Sequence, residues 1–224
     1  LHGGLAGALG KEEYKEMHKA ISRDCITLVK YKDRDVLPIT PERYKRIMIV
    51  HVKGAESGMG MLMKAMGMGG GKNPAEMLKE RLCEKGFDAF IYESPLDAMK
   101  KQIAAGEKPN INLYFAGKNA IDDFVSGMDL VITLCDVSSG RPSFGLSKGG
   151  GEIPWYVFEL PVVVIGCGQP TMLADVPQAR TYINTYDAKP ATFDALVDDL
   201  MAGPDAFKGR DPIDSFCGLF DARL

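Results

Sequence analysis

Apolar and polar positions alternate in two rhythms along this chain. From Lys11 to about Cys25 the segment "KEEYKEMHKAISRDC" places Tyr14, Met17, Ala20 and Ile21 at i, i+3, i+6 and i+7, the spacing of an amphipathic helix. "ITLVK" then either extends that helix or forms a short strand, and Pro38 and Pro41 in "VLPITPER" break the pattern. "RIMIVHV" (46–52) is a compact apolar run of the buried-strand kind. "PAEMLKERLCEKG" (74–86) predicts a helix with proline at its first turn and Gly86 as its stop. "FDAFIY" (87–92) predicts a strand, "SPLDAMKKQIAAG" (94–106) a helix capped by Ser94, and "AIDDFVSG" a short helix.

The second half repeats the alternation. "DLVITLC" (129–135), "LPVVVIGCG" (160–168) and "RTYINTY" (180–186) predict strands, and "ATFDALVDDLMAG" (191–203) predicts a closing helix. Near-continuous apolar strands separated by helices imply parallel βαβ units covered on both faces. The expected fold is a three-layer αβα sandwich, with a mostly parallel sheet of five or six strands, flavodoxin-like in outline. Residues 1–10, "LHGGLAGALG", read as a linker or ragged end, leaving one domain over residues 11–224.

Composition narrows the function classes. With 224 residues, 46% hydrophobic, 25% charged and a net charge of −3 from interspersed signs, the chain has no basic footprint for nucleic acid or a membrane surface. No apolar run approaches the ~18 residues a membrane helix needs. Cys25, Cys83, Cys135, Cys167 and Cys217 are odd in number and lack CxxC spacing, and His2, His18 and His51 lack metal spacing. Neither metal nor cofactor is expected. Unpaired thiols and the lack of a visible signal peptide favour a cytoplasmic setting. The chain opens at Leu1 rather than Met, which reads as a piece whose natural N-terminus lies upstream.

The glycine-rich stretch after the first buried strand, "GAESGMGMLMKAMGMGGGKNP", invites a phosphate-binding interpretation. GxxxxGK[ST] fails, because Met66 stands at the first glycine and Asn73 at the hydroxyl. GxGxxG fails at Met63. Gly54, Gly58 and Gly60 do fit GxxxGxG, the cofactor turn of short-chain dehydrogenases, and Tyr114 and Lys118 form a YxxxK. The interval between the two is short for that family, Gly117 interrupts the second motif, and Glu93 only approximates the acidic position. A long, methionine-rich crossover is the favoured reading. A nucleotide- or dinucleotide-binding αβα protein using the 54–60 loop stays open as the alternative.

The C-terminal half carries a more specific pattern. "GGGEIPWYVFELPVVVIGCGQPTMLADVPQARTYINTYDA" followed by "AFKGRDPIDSFCGLFDARL" resembles the C-terminal domain of glycoside hydrolase family 3, in its β-N-acetylhexosaminidase-like branch. "AISRDCITLVKYKDRDVLPITPERYKRIMIVHV" is similar to that domain's interdomain helix (about 11–25), its lysine and leucine-proline turn, and its first strand. The resemblance implies an accessory domain that caps a catalytic (β/α)8 barrel absent from this chain, with carbohydrate bound at the domain interface. It implies that the nucleophile belongs to the barrel, as does the acid/base aspartate–histidine loop of this branch, so no catalytic residue is expected here.

One loop has the right place to reach such a site. "DVSSGRPSFGLSKGGGEIPW" follows the third core strand and carries Asp136, Arg141, Lys148, Glu152 and Trp155. Arg141 and Lys148 are candidates to bind substrate hydroxyls or a carboxylate, or to pair with barrel charges. Trp155 either anchors the loop on the core or offers an aromatic wall to a sugar ring. Glu152 is a weak candidate for an acid/base, the role that the β-glucosidase branch assigns to a glutamate of this domain.

Overall fold

The computed structural model describes residues 12–33, 35–53, 73–93, 101–108, 126–137 and 160–212. Helix α1 spans Glu12–Cys25 and is followed by strand β1 (Thr27–Tyr31), so "ITLVK" forms a strand rather than prolonging the helix. Strands β2 (Arg46–Lys53), β3 (Asp88–Ile91), β4 (Leu130–Asp136), β5 (Val162–Gly166) and β6 (Thr181–Asn184) coincide with the five apolar runs. Helix α2 spans Pro74–Glu84 and helix α3 spans Pro190–Ala202.

The helix boundaries have local causes. The Asn73 side chain accepts the Ala75 N–H at 3.1 Å, Pro74 occupies the first turn, and Gly86 follows the end of α2 at φ +92°. Pro190 opens α3, and Gly203 ends it at φ +102°. Arg81 pairs with Asp194 and Lys85 with Asp198 between α2 and α3. Such partly exposed, solvent-screened pairs contribute little to stability. The apolar contacts of Leu78, Leu82, Phe193, Leu196 and Leu200, all fully buried, hold these helices to the sheet.

The six strands lie in the order β1-β6-β5-β4-β2-β3. The β2–β3, β2–β4, β4–β5 and β5–β6 pairs are parallel, and β1 joins β6 antiparallel at one edge. The expected mostly parallel α/β sheet is present. Side chains alternate across it. Ile47, Ile49, Ile132, Leu134, Ile165 and Ile183 face the core shared with α2 and α3. Met48, Val131, Val164 and Tyr182 face the other side, where Met172 and Leu173 of a 3-10 segment (Pro170–Asp175) pack on them.

β1 is guarded as an edge. Its register slips between Leu28 and Lys30, and the buried Lys30 ammonium donates to the Pro177 carbonyl at 2.7 Å. Burial, with Lys32 nearby, holds the Lys30 pKa below the usual lysine value. Among the described residues no helix is long and apolar enough to cross a membrane.

Candidate functional site

Setting aside the antiparallel edge, the parallel strands run β3-β2-β4-β5-β6. Strand order therefore reverses at β2: the chain moves outward to β3, then returns to the far side of β2 with β4. Such a switch point opens a crevice beyond the carboxyl ends of the two central strands, where open α/β sheets bind their ligands. Asp136 ends β4, and His51 lies just before the end of β2 at Lys53. The register aligns His51 with Leu134 and Lys53 with Asp136, so the imidazole and the carboxylate project on the same face.

The His51 Nε2 atom lies 3.7 Å from Asp136 Oδ2, with side-chain exposures of 6% and 34%. That separation is too long for a direct hydrogen bond. Nε2 is buried and has no hydrogen-bond partner among the described residues. An orphaned buried polar atom calls for an explanation, and here it sits at the topological switch point.

The next strand ends form a satisfied network. The Thr185 hydroxyl donates to the Asp187 carbonyl at 2.7 Å and lies 3.4 Å from Cys167 Sγ. The Thr185 N–H bonds the Gly166 carbonyl at 2.9 Å. Asp187 accepts from the Thr192 hydroxyl and, at 3.3 Å, from the Lys189 N–H, and so serves the open start of α3. Burial pushes the Asp187 carboxyl up, but these bonds outweigh it and hold the group below the ordinary aspartate value.

On the opposite face the Tyr182 hydroxyl donates to Asn184 Oδ1 at 2.9 Å, and Asn184 Nδ2 donates to the Pro170 carbonyl at 3.3 Å. Burial pushes the Tyr182 phenol well above its usual value. Cys135 and Cys167 are buried, and their thiols are pushed up to about 12 by loss of water. Neither is an activated nucleophile. Among the described residues no three metal-binding side chains cluster.

Arg141, Lys148, Glu152 and Trp155 lie outside the described residues, as do Gly54–Gly60 and the Tyr114–Lys118 motif. Asp136, the foot of the 136–155 loop, is described and stands at the carboxyl end of β4. Glu93 follows β3 and pairs with Lys101 at 2.6 Å. His51 is half-buried as a residue, with its side chain 6% exposed. Its neighbour Asp136 was not foreseeable from spacing, because only the β2–β4 pairing brings the two together.

No protein-family model matches the chain. The beta-N-acetylglucosaminidase/beta-glucosidase of Cellulomonas fimi is 29% identical over 225 aligned positions, covering 99% of this chain and 36% of that protein. The solved structure of beta-glucoside phosphorylase BglX superposes with a TM-score of 0.65 at 26% identity, over 96% of this chain and 34% of that one. A glycoside hydrolase family 3 beta-N-acetylglucosaminidase from Paenibacillus sp. str. FPU-7, at 14% identity and a TM-score of 0.54, shares the fold over 91% of this chain and 33% of its own. The chain thus spans about a third of the length of the relatives it matches. The sequence likeness across almost the whole chain and the third of each longer protein it covers make the chain similar to a C-terminal αβα domain of glycoside hydrolase family 3.

Proposed function

We propose that this chain is an accessory domain that packs on and caps a catalytic (β/α)8 barrel within a longer protein. The parent hydrolyses terminal β-linked sugars, N-acetylglucosamine first among them, with retention through a covalent glycosyl-enzyme. The observation that carries this is the asymmetry of the match: 99% of the chain accounts for 36% of a two-activity glycosidase. The remainder of such a relative has room for the paired groups that cleave a glycosidic bond.

The surface of α1 supports a docked partner. Tyr14, Met17 and Ile21 are 50%, 51% and 55% exposed and stand at i, i+3 and i+7 on one stripe. Replacing the matching third of the Cellulomonas fimi enzyme with this chain tests the association. Retention of a single compact chimera, loosened to protease by Met17→Lys and Ile21→Lys, supports the reading. A chimera whose barrel and graft behave as independent bodies contradicts it.

The likeness to a phosphorylase favours one variation: phosphate instead of water as the acceptor of the glycosyl group. Turnover of an aryl β-glucoside with and without inorganic phosphate separates the two. A rate independent of phosphate, with free sugar as product, supports hydrolysis.

A further inference from the structure

We propose that the Arg23–Asp199 pair is a pH-sensitive clasp: it pins α1 to α3 at the last turn of α1, and the turns before it form a strap that lifts from the domain on its own. The first observation is how little of α1 is buried. Among its described side chains Ser22 alone is buried, while Tyr14, Met17 and Ile21 are exposed. A helix of 14 residues is marginal in water unless an apolar face packs on a neighbour. The second observation is a sharp boundary. Ile26, directly after the helix, is fully buried, and its carbonyl accepts the Gly209 N–H at 3.1 Å. The sheet's hold on the chain therefore begins where α1 ends, and Arg23, in the last turn, reaches from the helix to α3.

The clasp is lopsided. Arg23 Nε and Nη2 both lie 3.0 Å from Asp199 Oδ1, and Oδ2 is buried with no hydrogen-bond partner among the described residues. The Asp199 side chain is completely buried, whereas that of Arg23 is 51% exposed. A buried carboxylate satisfied on one oxygen favours its neutral form. The other charged groups acting on it are Asp198, its neighbour on α3, and Lys208, past the closing 3-10 turn (Pro204–Ala206). Both are engaged elsewhere: Asp198 pairs with Lys85 at 2.7 Å, and Lys208 donates to the Asp205 carbonyl at 2.7 Å. Burial outweighs Arg23 and raises the Asp199 carboxyl above its ordinary value. Lifting α1 returns the carboxyl to water, where it titrates at about 4. The clasp is thus at full strength below that value and loosens as pH rises through the docked value. At neutral pH the loosened strap offers its apolar stripe to a neighbouring body. That this body is a barrel rests on the accessory-domain proposal above, whereas the clasp does not.

Amide hydrogen exchange of this chain alone, read by NMR and corrected for the intrinsic pH dependence of exchange, tests the inference. At neutral pH the α1 amides should exchange at least about tenfold faster than those of β4 and β5, as a locally opening unit does. Their protection should rise several-fold as pH falls towards about 5. Asp199→Asn should flatten that pH dependence. Arg23→Met should lower α1 protection by about tenfold at neutral pH, the size of one charged hydrogen bond, and by less in acid. Met17→Lys and Ile21→Lys, at exposed positions, should leave α1 protection unchanged. The wild-type pH series decides the matter even if a variant fails to fold. Protection in α1 equal to that of β4, protection that does not change with pH, or a pH dependence that persists in Asp199→Asn would overturn the proposal. Failure of the chimera to associate counts against the accessory reading and leaves the clasp standing.

Discussion

The hydroxyl of Tyr182 fills the space that a side chain at position 166 would need. A Cβ on Gly166 would collide with that hydroxyl and stand 2.8 Å from Asn184 Oδ1 and 3.1 Å from the ring carbon bearing the hydroxyl. Tyr182 is fully buried and its hydroxyl is bonded to Asn184, so it has nowhere to turn. Gly166→Ala should therefore cost about 1–3 kcal/mol, the usual range for overpacking a tight core. Chemical denaturation checks it. The cost should shrink in a Tyr182→Phe background, because the atom that collides most severely is gone. Equal costs in both backgrounds would show that the collision is relieved elsewhere.

The tie between α1 and α3 gives a pH-dependent prediction. Arg23 Nε and Nη2 each lie 3.0 Å from Asp199 Oδ1, whose side chain is completely buried. Burial lifts the Asp199 carboxyl above its ordinary value, with Arg23 pulling the other way. A raised carboxyl favours the protonated form in the fold. Its contribution is therefore present below the unfolded value, about 4, and is lost as pH rises through the folded value. Wild type should gain stability relative to Asp199→Asn as pH falls from neutral towards about 4. Arg23→Met, which leaves the buried carboxylate unpaired, should cost about 1–3 kcal/mol at neutral pH and less in acid. Denaturation midpoints across that range decide it.

Much of the sheet was legible in the sequence because its strands are buried on both faces. "DLVITLC" and "LPVVVIG" have few polar positions, and β4 and β5 fall on them within one or two residues. Pro74 and Gly86 marked α2 through backbone chemistry that acts locally, whereas the Asn73 cap was found only in the structure. The antiparallel entry of β1 beside β6 was not legible, since it depends on pairing between the two ends of the chain. Gly209 shows the same limit. A Cβ there would meet the Cys25 and Ile26 carbonyls at 2.5 Å, so the "FKG" segment lies flat on the start of β1. Nothing in its local spacing announces that contact. The His51–Asp136 pair was hidden for the same reason, while the loop residues favoured from sequence, Arg141, Lys148, Glu152 and Trp155, lie outside the described residues.

The four described cysteines should divide sharply in reactivity. Cys25 and Cys83 are exposed, whereas Cys135 and Cys167 are buried with thiols pushed up to about 12. Alkylation at neutral pH, mapped by mass spectrometry, should modify the first two and leave the second two intact until denaturant is added. Rapid native modification of Cys167 would mean that the carboxyl edge near Thr185 opens far more readily than its packing implies.

The central claim is that this domain assists glycoside cleavage without performing it. Turnover of a chromogenic β-N-acetylglucosaminide tests that claim most directly, measured for this chain alone and for its chimera with the Cellulomonas fimi enzyme. The account predicts no turnover above the uncatalysed rate for the chain alone, and turnover by the chimera. Robust turnover by the chain alone, abolished by substitutions at its own carboxylates, would contradict it.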